Sequence, residues 1–304
     1  MGTGAAEQPT SHAAGRSIET TVSKRSAPTL HQWELGTLLH SLRAERDLTV
    51  EEVAETLLCS PSRIRTLEAA TALPTPQDLR DLRALFKLDD ATADELIELT
   101  EKAQQPGWWA DYDDLGLPYI GLEEHAASII SYTMSYFPAL LQTEGYARAI
   151  IIGIALGIEP EILEQRIEAR LRRQNVLNDK NPAKYHALLD EAILHRPVGG
   201  RAVMHEQLNK VLTMAQAGKV TVQIVPFDQG AYAAQDSNFV LLQFGEPALS
   251  PIVYVEGLAA YHFLEREEDV DRYQETVESL RQSALGPRES LQRIQQVRDT
   301  YKYG

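Results

Sequence analysis

Leu48-Thr49-Val50-Glu51-Glu52-Val53-Ala54-Glu55-Thr56-Leu57-Leu58-Cys59-Ser60-Pro61-Ser62-Arg63-Ile64-Arg65-Thr66-Leu67-Glu68 reads as two short helices joined by a tight turn. Thr49 and Glu52 form a capping box, in which the hydroxyl accepts from an orphan backbone N–H and the carboxylate reaches back to the N–H of the cap residue. A helix is therefore predicted to start at Thr49 and to bury the face carrying Val53, Ala54 and Leu57, with Glu51, Glu52 and Glu55 turned outward. Ser60 followed by Pro61 marks a second start, since proline suits the first helical position, where its missing N–H would have no intrahelical partner. Ile64 and Leu67 face inward from this second helix, whereas Ser62, Arg65, Thr66 and Ala69 project away from them, with Arg63 on the flank. A second helix with a polar outward face is what insertion into a DNA groove requires.

The flanking sequence supplies a core for the pair. Trp33, Leu35, Leu38, Leu39 and Leu42 form an apolar stripe on a preceding helix whose far end carries Arg43 and Arg46. Thr75-Pro76-Gln77-Asp78 caps a fourth helix bearing Leu79, Leu82, Leu85 and Phe86, and Thr92-Ala93-Asp94-Glu95 caps a fifth bearing Leu96, Ile97 and Leu99. Five helices make one small bundle over residues 29–105.

This segment resembles the Xre-type helix-turn-helix of lambdoid phage repressors, whose wording runs close to Leu-Thr-Gln-Glu-Glu-Leu-Ala, then Gly-Val-Ser, then Ile-Ser-Arg-Ile-Glu. The resemblance implies base reading from Pro61, Ser62 and Thr66, with phosphate contacts from neighbours such as Arg63, Arg65 and Arg43. In the reading favoured here, Ser62, Thr66 and Arg65 lie at base edges, and Arg43, Arg46 and Arg63 meet phosphates. The chain departs from the family wording at Val50, where a polar Gln is usual, at Leu58, where the turn usually has Gly, and at Pro61, where a base-reading amide is common. A branched residue at positive φ is strained, so Leu58 marks an altered turn.

Charge narrows the mode of binding. The chain of 304 residues carries a net charge of −15, and residues 30–105 hold eight Lys or Arg against fifteen Asp or Glu, a net of −7. Phosphate neutralisation supplies most non-specific DNA affinity, so a domain without a strong basic footprint is expected to bind as a dimer on paired half-sites, with steep salt dependence. Residues 1–28, rich in Gly, Ala, Ser and Thr without apolar periodicity, read as a disordered tail with no secretory signal. The longest apolar run, Ala149 to Ile158, is about half a membrane span, so a cytoplasmic protein is expected. One cysteine excludes an internal disulfide and a thiolate metal cluster, and Cys59 reads as buried filler.

Gln104-Gln105-Pro106-Gly107-Trp108-Trp109 ends the helical run and opens a second unit over residues 106–304. Helices are predicted over Leu122 to Ser135, Arg148 to Gly157, Pro160 to Leu177, Arg201 to Ala217, Glu267 to Ala284 and Pro287 to Tyr301. Lys184 to Leu194, Val220 to Pro226, Asn238 to Phe244 and Ile252 to Gly257 read as strands. The expected class is mainly α with an α+β second domain: a helical region, a mainly antiparallel sheet and C-terminal helices.

Several phrases here, Pro106-Gly107-Trp108-Trp109, Ala139-Leu140-Leu141-Gln142-Thr143-Glu144-Gly145-Tyr146-Ala147, Val222-Gln223-Ile224-Val225-Pro226-Phe227 and Val253-Tyr254-Val255-Glu256-Gly257, resemble a family of actinobacterial regulators. In that family an Xre-type domain precedes a large C-terminal domain of unassigned role. The resemblance implies a transcriptional regulator acting on a double-stranded operator, and a small neighbour-encoded protein as its antitoxin-like partner.

Asp190, Glu191, His195 and Glu256 recur near predicted strand ends as acid and base candidates. No His-Glu-x-x-His spacing, Gly-rich phosphate loop or Gly-x-Ser-x-Gly elbow accompanies them, so no catalytic residue, metal or cofactor is expected. Trp108, Trp109, Tyr112 and Tyr119 read as core or dimer interface. The favoured function is a homodimeric DNA-binding regulator whose second domain senses a small-molecule effector or holds a partner. The alternatives are a protein-interaction module with a degenerate helix-turn-helix, and a small-molecule-binding or enzymatic second domain.

Overall fold

The computed structural model describes residues 29–112, 118–155, 157–178, 180–245, 250–257 and 260–302. The expected tail over residues 1–28 lies outside the described residues. The N-terminal part is a bundle of α1 (Leu30–Ala44), α2 (Val50–Thr56), α3 (Pro61–Glu68), α4 (Pro76–Phe86) and α5 (Asp90–Ala103). Capping sets most of these boundaries. Thr49 and Thr75 form capping boxes with Glu52 and Asp78, and the Ser60 hydroxyl accepts from the Arg63 N–H ahead of Pro61. The fifth helix starts earlier than Thr92 suggested, because the Asp89 carboxylate is the cap and accepts from the Thr92 N–H at 2.8 Å. Leu35, Leu39, Val53, Ile64, Leu67 and Phe86 meet in the bundle core. Cys59 is half-buried at its edge rather than fully inside.

Two local features fix how α3 is carried. The first is Gly36: a Cβ at this position would lie 2.5 Å from the carbonyl oxygen of Glu68, so the backbone of α1 runs directly against the end of α3. The second is the turn between α2 and α3, where Leu58 takes φ 52° with its side chain 94% exposed. The turn still closes in the ordinary way, with the Cys59 N–H donating to Ala54 O at 2.9 Å. A leucine in the left-handed region carries about 1–2 kcal/mol of strain, and at such exposure it recovers nothing by packing.

The C-terminal part begins with α6 (Pro118–His125) and continues through β1 (Ser128–Thr133), α7 (Glu144–Ile154), α8 (Pro160–Arg173), β2 (Lys184–Asp190), α9 (Ala192–His195), α10 (Arg201–Gln216) and β3 (Val220–Val225). β4 (Phe239–Gln243), β5 (Ile252–Glu256), β6 (Tyr261–Leu264), α11 (Glu267–Ser283) and α12 (Pro287–Thr300) complete it. The six strands form one sheet in the order β3-β2-β1-β4-β5-β6. Pairings β3·β2 and β2·β1 are parallel, while β1·β4, β4·β5 and β5·β6 are antiparallel. The sheet is thus mixed with an antiparallel majority, and the helical crossovers α7–α8 and α9–α10 produce the parallel half. Alternate residues feed two cores. Ile129, Tyr185, Leu189, Val222 and Ile224 pack on one face with α6, α7, α10 and α12, and Ile130, Tyr132, Leu188 and Val253 pack on the other with Val270, Val277 and Leu280 of α11.

The predicted helix over Leu122 to Ser135 is corrected by this arrangement: it stops at His125, and Ser128–Thr133 is a central strand of the sheet. Residues 129–133 are all buried, so the period-two alternation that identifies a strand is erased. The run Lys184 to Leu194 likewise divides into β2 and the single turn α9. The two parts of the chain touch. Trp33 of α1 leaves the bundle core and sets its ring 5.7 Å from that of Phe263 on β6, edge to face, while His31 lies 6.2 Å from His125 of α6.

Gly36→Ala is expected to destabilise the bundle by about 1–3 kcal/mol, the usual cost of forcing an atom into a closed contact. Leu58→Gly is expected to stabilise it by about 0.5–1 kcal/mol, the relief of strain outweighing the added freedom of the unfolded chain. Thermal and urea unfolding monitored by circular dichroism reads both, and opposite signs at the two positions are the signature.

Candidate functional site

The outer face of α3 has the form expected of a groove-reading element. Ile64 and Leu67 are buried, Ser62, Arg65 and Ala69 are exposed, and Pro61, Arg63 and Thr66 are intermediate. The Thr66 hydroxyl donates to Arg63 O at 2.7 Å, which leaves its lone pairs as the available function. Arg65 pairs with Glu51 of α2 at 2.7 Å, with 59% and 61% of the two side chains exposed. An ion pair this exposed is worth under about 1 kcal/mol, so a phosphate or a guanine edge can displace Glu51 at small cost.

The other arginines assigned to phosphates are placed differently. Arg43 grips Glu68 with two bonds, Nε to Oε1 at 2.6 Å and Nη2 to Oε2 at 2.9 Å, and donates from Nη1 to Leu48 O at 2.9 Å. Arg46 donates to Phe86 O at 2.7 Å and Leu42 O at 2.8 Å and lies over the Phe86 ring. Arg63 bonds Asp78 at 2.9 Å and Leu73 O at 3.3 Å. These three guanidinium groups help hold α1, α3 and α4 together, so a phosphate would have to share them with those acceptors. Sequence cannot separate the two uses, because the acceptors are backbone carbonyls and carboxylates remote in the chain. Burial by itself would raise the Glu68 carboxyl, but the hydrogen bonds and charges of Arg43 and His40 outweigh it and hold the group below its ordinary range.

In the C-terminal part, three of the acid and base candidates gather at the end of β2 and one does not. Glu191 is buried, accepts from Arg293 at 2.5 Å and from the Phe227 N–H at 2.9 Å, and lies 3.5 Å from His195. Asp190 accepts from the Tyr232 hydroxyl. Glu256 ends β5, on the far side of β1 and β4. Every acid in the β2 group is thus tied to a donor that fixes a loop or a helix. Among the described residues no three His, Cys, Asp or Glu side chains gather as a metal site, and no helix is long and apolar enough to cross a membrane. Trp109 is buried against Ile120, and Arg172 lies over the Trp108 ring at 4.4 Å.

A cavity that the sequence reading missed opens where the sheet changes direction. Its volume is about 690 Å³, and it lies at the carboxyl ends of β1 and β5, covered by α8 and the segment Pro138–Leu140. In open sheets the crevice beside a strand whose neighbours connect in opposite directions is the usual ligand position, and β1, with β2 on one side and β4 on the other, is such a strand. The signal in the sequence was Arg166, Arg170 and Arg173, spaced to share one face of a predicted helix.

A five-helix bundle with a capped, surface-lying second helix of the pair, followed by a mixed-sheet domain with its own cavity, defines a helix-turn-helix protein with an appended α+β domain. Residues 118–296 match the family described as Domain of unknown function (DUF5753), more than half of the chain, and the chain belongs to that family. Residues 34–96 match the family described as Helix-turn-helix domain, which suggests a DNA-binding regulator. No curated protein and no solved structure matches the chain.

Arg43→Met is expected to cost about 2 kcal/mol at neutral pH, since it strips a largely buried carboxylate of its fork. Because the folded Glu68 pKa is depressed, the stability tied to its ionised form is complete above its ordinary 4.5 and is lost as pH falls through the folded value. The difference between wild type and variant in urea midpoint should therefore shrink between pH 5 and roughly pH 3; a constant difference would remove the ion pair from the account.

Proposed function

We propose that the chain is a sequence-specific transcriptional regulator of Xre type, a homodimer that places α3 of each protomer in the major groove at successive half-sites. The observation that carries this reading is the outward face of α3, with Ser62, Arg65 and Thr66 accessible on a helix anchored by Ile64 and Leu67. Pro61 opens the same face and presents only an apolar surface, suited to a thymine methyl. With Arg43, Arg46 and Arg63 committed inside the fold, few phosphate contacts remain per protomer, and pairing of two half-sites roughly 34–36 Å apart supplies the missing affinity. The C-terminal part serves as the input, by a small-molecule effector or a neighbour-encoded partner, and has a binding rather than a catalytic role. Its support is contact: Trp33, part of the first bundle helix, is packed on the C-terminal core. A cytoplasmic location and an actinobacterial origin belong to the same proposal.

A second reading, a protein-interaction module that has given up DNA, is favoured by one feature: the fully exposed Leu58 at the turn, in an acidic domain whose arginines are mostly engaged. Gel-shift titration on the DNA upstream of the chain's own gene separates the two. Arg65→Ala should weaken the shift about tenfold or more, and Ser62→Ala with Thr66→Ala should narrow the gap between cognate and scrambled DNA. Equal competition by scrambled DNA against the wild type supports the second reading and ends the first.

A further inference from the structure

The cavity beside β1 is built for an anion with an apolar body. Six aromatic side chains, Tyr119, Tyr132, Tyr136, Tyr185, Phe239 and Tyr254, contribute to its lining, and Leu140 and Ile154 add aliphatic surface. Five ionisable side chains with fixed charge line it as well: three arginines from α8 against Glu123 and Glu256. In a chain of net charge −15 this is a local excess of one positive charge.

Arg173 and Arg170 differ in what they meet. Arg173 is fully matched, donating Nε to Glu123 Oε1 at 2.7 Å and Nη2 to Oε2 at 2.9 Å, with Tyr119 donating to the same carboxylate at 2.6 Å. Glu123 is therefore used up. Arg170, one helical turn away on the same face, has no carboxylate within ion-pair distance among the described residues; its side-chain hydrogen bond runs to the amide oxygen of Gln142 at 3.1 Å. Burial and the neighbouring Arg173 charge push its pKa down to about 10. Glu256, at the exposed end of β5, acts on it only from the rim. A partly buried guanidinium without a carboxylate is costly unless something else supplies the negative charge.

We propose that this cavity binds a small organic monoanion, a carboxylate carried on a flat aromatic body, with Arg170 as the carboxylate anchor and the tyrosine and phenylalanine faces as walls. The volume falls within the range of pockets that enclose such ligands, roughly 300–1,000 Å³. The Arg170 guanidinium, without a carboxylate partner, presents a planar fork that fits one carboxylate. Glu256 at the rim disfavours a second negative charge. The proposal rests on the reading of the C-terminal part as a sensor. It also gives that sensor a route to the bundle, because Tyr254 of the cavity wall lies 5.3 Å from Phe263, the ring on which Trp33 packs.

Thermal-shift and calorimetric titrations on the full chain test this with 1-naphthoate, its neutral amide 1-naphthamide and inorganic phosphate as probes. The expected result is that naphthoate raises the unfolding midpoint in a saturable manner and binds at least tenfold more tightly than the amide, while phosphate gives no shift. Arg170→Met should abolish that preference and leave the unliganded midpoint unchanged or higher, an outcome that a purely structural arginine would not give. Tyr136→Leu, which retains Arg170, should weaken naphthoate about fivefold or more and keep the acid-over-amide ratio, so the anchor is tested even if the methionine variant fails to fold. Equal binding of acid and amide, a shift by phosphate alone, full naphthoate binding by Arg170→Met, or no naphthoate binding at 10 mM would each overturn the proposal. Gel shift on the same preparation keeps the two readings apart: DNA binding without naphthoate binding removes only the pocket, and the reverse result removes only the DNA-binding reading.

Discussion

An eight-residue helix has no stability of its own in water, so α3 exists because of what holds it. Three contacts do so from one side: Ile64 and Leu67 in the bundle core, the backbone approach of α1 at Gly36, and the Arg43–Glu68 fork at the C-terminal end. The fork joins groups 14% and 13% exposed, so it is shielded from salt in a way the Arg65–Glu51 pair is not. The outer face of the helix is left rigid and uncommitted as a result. Rigidity matters because base reading depends on side chains meeting fixed donor and acceptor positions.

The same chemistry separates structural from available arginines throughout the chain. Arg43, Arg46, Arg63, Arg173 and Arg293 each meet a buried carboxylate or backbone carbonyls and serve the fold. Arg65 meets an exposed carboxylate, and Arg170 meets only an amide. At both, added negative charge from a ligand displaces little. One sits on the bundle surface and the other lines the C-terminal cavity.

Between those positions runs a line of rings, Tyr254 to Phe263 to Trp33. Trp33 belongs to the helix that also carries Gly36 and Arg43, so this contact joins β6 to the element that sets α3. Packed aromatic contacts of this kind transmit rigid-body shifts when the element they join has two arrangements.

Local sequence determined the bundle almost completely. Thr49 with Glu52, Ser60 with Pro61, and Thr75 with Asp78 fix helix starts through contacts within three residues, and apolar spacing fixes the buried faces; neither needs knowledge of distant residues. The C-terminal helices over Arg201–Gln216, Glu267–Ser283 and Pro287–Thr300 were legible for the same reason. Tertiary structure alone decided three matters. It made Ser128–Thr133 a strand, since burial on both faces leaves no alternation to read. It gave Arg43, Arg46 and Arg63 to the fold, through acceptors up to 40 residues away. And it opened a cavity around Arg170, because which charge lacks a partner is a property of assembled surfaces and not of any segment.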